Sequence, residues 1–135
     1  MKFNQFEEII AWQKAQELTL IIYKKFNNIK DYSYRDQIFR ASTSIMNNIA
    51  EGFERKSNKD FSKFLFIAKG SCGEVRSMVH LGHNLKYLSE SDSTELINKT
   101  IEISKMLSGL IKTLQTWLTW FLYELYELDE LYKLD

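Results

Sequence analysis

The chain has 135 residues, no proline, five glycines, one cysteine and a formal net charge of zero, with 18 Lys and Arg against 18 Asp and Glu. A single domain of that size buries one core without metal or disulfide staples, and the scarcity of turn punctuation excludes an all-β chain. Zero net charge excludes the overall field of a dedicated polyanion binder.

The charges are nevertheless uneven. Residues 1–118 hold 17 of the cations and 13 of the acids, a surplus of four positive charges, whereas residues 119–135 hold one Lys and five acids. A lone Cys72 cannot form an internal disulfide, and no apolar run after Met1 and Lys2 is long enough for a secretory signal, which predicts a cytoplasmic protein. The nearly apolar run at 117–123 falls far short of the roughly 20 residues that span a bilayer, so no membrane partner is expected.

Taken in order, Asn4 and Glu7 have capping-box spacing, and Ile9, Ile10, Leu18, Ile21, Ile22 and Phe26 recur every three to four residues. This predicts a first helix over 5–28, with Trp12 on the flank of its apolar stripe. Asn and Asp residues then break the period, and a second helix is expected over 33–55. Its core face is Ile38, Ala41, Ile45, Ile49 and Phe53, and a polar stripe of Gln37, Arg40, Ser44, Asn48, Glu51 and Arg55 winds beside it. Such a stripe is expected to satisfy itself against a facing helix and so fix register.

The next turn gathers Arg55, Lys56, Lys59 and Lys63, and Ser57 or Asn58 can cap the helix that follows. That third helix, over 58–87, carries Phe61, Phe64, Leu65, Ala68, Cys72, Val75, Val79 and Leu85 at helical spacing. Gly70, Ser71 and Gly73 are poor helix formers in its middle, which predicts a close helix–helix approach there. Cys72 on the apolar side reads as an inert buried thiol. His80 and His83 alone do not make a metal site, and the chain offers no phosphate loop or nucleophile elbow, so neither cofactor nor catalytic residue is expected.

Trp12-Gln13-Lys14-Ala15, Gln37, Arg40-Ala41, Ser44-Ile45, Asn48-Ile49-Ala50-Glu51-Gly52-Phe53, Phe64-Leu65, Ile67-Ala68, Gly70-Ser71 and Glu74 together resemble the four-helix-bundle proteins encoded in intervening sequences of large-subunit ribosomal RNA genes. The accessory variability determinant of diversity-generating retroelements is similar to the same group, though strongly basic where this chain is neutral. The resemblance covers about residues 6–116. It implies an all-α, up-and-down antiparallel four-helix bundle, a homopentamer and no enzyme activity. It marks Arg40, Asn48, Glu51, Ser71 and Glu74, read as a structural polar network.

Asp92 and Glu95 again have capping-box spacing, and from Leu96 the apolar positions Ile103, Leu107, Leu110, Leu114, Phe121, Leu125 and Leu128 run on almost unbroken. A fourth helix reaching Tyr132 would be about 60 Å long against about 35 Å for the first two, so its end should overhang. The domain division is therefore a bundle over 1–118 and an acidic, aromatic extension over 119–135. Trp117, Trp120, Phe121, Tyr123, Leu125 and Leu128 on that extension are candidates for contact with another subunit or a protein partner. The expected function is a non-enzymatic oligomeric scaffold that contacts RNA through Arg55, Lys56, Lys59 and Lys63. The alternatives are a protein-interaction module working through the extension, or a reverse-transcriptase accessory protein.

Overall fold

The computed structural model describes residues 3–133, with the side chains of 117–120 outside the described set. Four helices make the molecule: α1 (Ile10–Phe26), α2 (Tyr32–Glu54), α3 (Asn58–Asn84) and α4 (Glu90–Tyr132), preceded by a single 3-10 turn at Phe6–Glu8. Each helix packs antiparallel on the next and α4 closes back on α1, so the chain is an up-and-down four-helix bundle. The core is continuous, with Leu18, Ile22, Ile38, Ile45, Ile49, Leu65, Val75, Leu96, Ile103 and Leu107 fully buried. The α1–α4 seam is the sparsest, and two ion pairs cross it, Lys14 to Glu102 at 3.1 Å and Lys25 to Asp92 at 2.8 Å.

The helix ends differ from the sequence expectation in ways that local chemistry explains. Helix α1 begins at Ile10, because Ile9 is extended with ψ 118° and separates α1 from the 3-10 turn. The reciprocal bond at Asn4 is made with Glu8 Oε2 at 2.9 Å, not with Glu7, and the Gln13 amide crosses the break to the Glu7 carbonyl at 2.7 Å. Asp31 caps α2, accepting from the Tyr34 N–H at 3.1 Å and from the Tyr87 hydroxyl at 2.7 Å. Ser57 caps α3 and Ser89 caps α4, the latter placing the start of α4 two residues before Asp92.

Helix α3 stops at Asn84, three residues early, at a Schellman motif: the Tyr87 N–H donates to the Gly82 carbonyl at 2.8 Å and the Lys86 N–H to that of His83 at 3.0 Å. Lys86 takes the left-handed conformation this requires, φ 64°.

Close approach between helices falls elsewhere than at Gly70 and Gly73. A Cβ on either would meet nothing within 4 Å, so both lie on an open face. Gly52 and Gly82 are the glycines that contact demands: a Cβ on Gly52 would sit 2.6 Å from Phe64 Cβ, and one on Gly82 would collide with the Tyr34 hydroxyl. That hydroxyl donates to the Met78 carbonyl at 2.5 Å and ties the start of α2 to the end of α3; burial raises its pKa to about 12.

Candidate functional site

The turn between α2 and α3 covers Arg55, Lys56 and Ser57. Helix α2 ends because Lys56 adopts φ 58°, its N–H donating to the Phe53 carbonyl at 3.3 Å, and Ser57 then starts α3 by accepting from the Asp60 N–H at 3.1 Å. All four predicted cations are exposed at this end of the bundle. Arg55 is engaged, bonded to Glu51 at 3.0 Å with its guanidinium 5.2 Å from the centre of the Phe64 ring. Among the described residues the ammonium groups of Lys56, Lys59 and Lys63 enter no ion pair or hydrogen bond, although Glu54 and Asp60 border the same turn.

Two further cations on α3, Lys69 and Arg76, are missed by the sequence reading. They lie on one exposed flank with Gly73, His80 and His83, at intervals of four, three, four and three residues, and the exposed Glu74 stands between them in sequence. That spacing is legible in the sequence, where His80 and His83 read as a surface or core pair. Among the described residues no group of three or more His, Cys, Asp or Glu is placed to hold a metal.

The polar stripe of α2 does not form one network. Asn48 donates to the Ser44 carbonyl at 2.7 Å and to Ser44 Oγ at 2.9 Å, and Ser44 Oγ lies 2.9 Å from Ser71 Oγ, so these three residues tie α2 to α3. Glu74 accepts from the Gln37 amide at 2.7 Å, a second tie between the same helices. Glu51 belongs instead to Arg55, and Arg40 is exposed, its guanidinium without a polar contact among the described residues. Cys72 is buried, and burial pushes its thiol up to about 12, so it is not a nucleophile at neutral pH.

At the opposite end, a groove of about 260 Å³ is lined by Asp31, Ser33, Tyr34, Gln37, Met78, Leu81 and Leu85. Two of its polar side chains, Asp31 and Gln37, are spent on the fold. Asp31 is held below the usual carboxylate range, first by the Tyr87 hydroxyl and then by the Tyr34 N–H, and Gln37 is bonded to Glu74.

The extension of α4 is helical to Tyr132, with Phe121, Tyr123, Leu125 and Leu128 exposed. The side chains of Trp117 and Trp120 lie outside the described residues. No helix is long and apolar enough to cross a membrane among the described residues.

By fold and surface the molecule is an all-α bundle of the up-and-down class, with part-buried and exposed polar ties between α2 and α3 and an exposed cationic turn. The family model described as 23S rRNA-intervening sequence protein matches residues 7–109, and the chain belongs to that family. Among solved structures it is similar to a protein of unknown function from the S23 ribosomal protein family of Bacteroides thetaiotaomicron VPI-5482, with 30% identity and a TM-score of 0.71 over 76% of this chain and 98% of that one. None of the curated proteins compared matches the chain.

Proposed function

We propose that the protein is a non-enzymatic, self-assembling scaffold of the cytoplasm that contacts structured RNA with the α2–α3 turn and the adjoining flank of α3. The observation that carries this reading is the set of cations with no partner among the described residues, Lys56, Lys59 and Lys63, presented on a rigid turn and continued by Lys69 and Arg76. The family takes its name from 23S rRNA intervening sequences, which makes ribosomal RNA the first polyanion to try. Self-assembly is supported by large apolar side chains left exposed on the flanks of the bundle, among them Leu20, Phe66 and Ile67. Five subunits is the number that the resemblance to the intervening-sequence proteins implies.

Fluorescence anisotropy of a structured ribosomal RNA fragment at about 50 and 200 mM salt tests the RNA contact. With about four phosphates neutralised per chain, affinity falls on the order of a hundredfold between the two conditions. Lys56→Glu with Lys59→Glu removes most of the low-salt binding without unfolding the bundle. No binding at the lower salt by the full chain and by a chain ended at Thr116 refutes the RNA reading.

A further inference from the structure

The spacing that faces the core does not stop where the bundle stops. Leu107, Ile111 and Leu114 are buried, and the same alternation of three and four residues continues through 118, 121, 125, 128 and 132. This is the a/d seam of a coiled coil, carried from the core into the projecting turns. Helix α3 has 27 residues and α4 has 43, so positions 90–116 of α4 run alongside α3 and the last 16 residues project by about 24 Å. On that projection Phe121, Leu125 and Leu128 are 58%, 46% and 51% exposed. The family match ends at 109, so the ridge lies outside the residues the family model matches.

The topology and the charges determine which surface suits it. Because α4 runs antiparallel to α3, it leaves the bundle at the end that carries the α2–α3 turn, with Lys56 and Lys59 exposed there. The projection itself holds Glu124, Glu127, Asp129 and Glu130 against Lys133, which already pairs with Asp129 at 3.2 Å and Glu130 at 3.1 Å. Two projections lying parallel would set Glu124 of one beside Asp129 of the other, like charge on like, with no cation of the bundle in reach.

Lying antiparallel, with Phe121 opposite Leu125, they bring Asp129 and Glu130 of one copy to the level of 116–117 in the other. Position 116 is the level of Asn58 in α3, one residue from Lys59 and two from Lys56. We propose that the projecting turns of α4 pair antiparallel with those of a second copy, end to end, each acidic tip seated against the partner copy's α2–α3 turn.

Light scattering of the full chain and of a chain ended at Thr116, in about 150 mM salt, tests the pairing. The full chain has twice the mass of the shortened one, whatever the subunit number of the latter. Leu125→Glu with Leu128→Glu in the full chain gives the same halving with unchanged helix content, which separates a lost contact from a damaged fold. A spin label on Lys133→Cys, with Cys72 buried and unlabelled, reports the orientation: about 30 Å between labels for the antiparallel pair and roughly 10 Å for a parallel one.

Lys56→Glu with Lys59→Glu also halves the mass, and adding Asp129→Lys with Glu130→Lys restores it. Equal masses for the full and shortened chains overturn the proposal and leave the ridge to a different protein; a short label distance, or a charge swap that restores nothing, overturns the antiparallel seat. No readout involves RNA, so this result is independent of the RNA contact.

Discussion

Replacing Gly52 by Ala probes the tightest contact between α2 and α3. The added Cβ would lie 2.6 Å from Phe64 Cβ, 3.2 Å from Phe61 Cδ1 and 3.4 Å from the Phe61 carbonyl oxygen. Phe64 Cβ is fixed to its backbone, so relief requires the helices themselves to separate in a close-packed interior. Overpacking of this kind costs about 1–3 kcal/mol, against a helix-propensity gain of at most about 1 kcal/mol for Gly→Ala.

Gly73→Ala is the matched control. It collects the propensity gain with nothing within 4 Å to oppose it. Urea midpoints at one fixed protein concentration should therefore move in opposite directions. Both variants share the propensity gain, so at roughly 3–4 °C per kcal/mol for a domain of this size the overpacking cost separates the two melting temperatures by about 3–12 °C. A Gly52→Ala variant as stable as the parent refutes the close contact. A destabilised Gly73→Ala would mean that the open face of α3 is covered by another subunit.

Lys86 holds φ 64° at the end of α3, a conformation that costs an L-residue about 1 kcal/mol. Lys86→Gly should raise the urea midpoint by the equivalent of about 0.5 kcal/mol, after allowance for the freer unfolded chain, with the slope unchanged; a lower midpoint contradicts the Schellman assignment. Acid stability follows from Asp31 and Asp92. Both carboxyls are held below their usual 3.8, Asp31 chiefly by the Tyr87 hydroxyl and Asp92 chiefly by Lys25. A depressed folded pKa stabilises above the unfolded value and is lost as pH falls through the folded one, so the melting temperature should be level from pH 7 to 5 and drop below about pH 4. Asp31→Asn with Asp92→Asn should flatten that drop, and an equally steep fall in the double variant would contradict the assignment.

The four helices and most of their core faces were legible because apolar periodicity records burial directly: Ile38, Ala41, Ile45 and Ile49 are buried as their spacing predicts. The ends were less legible because their chemistry is not local. Asp31 is an adequate cap by itself, but what completes its bonding is the Tyr87 hydroxyl, 56 residues away. The small residues posed the same difficulty. Gly70 and Gly73 stand in the richest small-residue run, yet contact falls on Gly52 and Gly82, because only the facing helix decides which glycine meets a side chain. In the polar stripe, Ser44 and Gln37 found partners across on α3, Ser71 and Glu74, and Asn48 bonds to Ser44 within α2, whereas the Arg40 side chain has no partner among the described residues. A stripe read on one helix cannot show where its neighbour ends.

The two proposed uses of the α2–α3 turn compete for the same side chains. RNA would take Lys56, Lys59 and Lys63 through phosphate contacts, and the pairing of α4 would cover Lys56 and Lys59 with Asp129 and Glu130. The cationic surplus of the turn is small, since Glu51 already holds Arg55 and Glu54 and Asp60 stand beside it, so it cannot serve two polyanionic partners at once. An acidic helix delivered by a second copy acts at high effective concentration once the apolar seam has closed, whereas free RNA competes with the help of counterion release, an advantage that fades as salt rises. If both proposals hold, the pairing is an occluded state of the proposed RNA surface. The chain ended at Thr116, with the turn uncovered and the bundle core intact through Leu114, is the form in which the intrinsic RNA affinity of the family fold can be read without that competition.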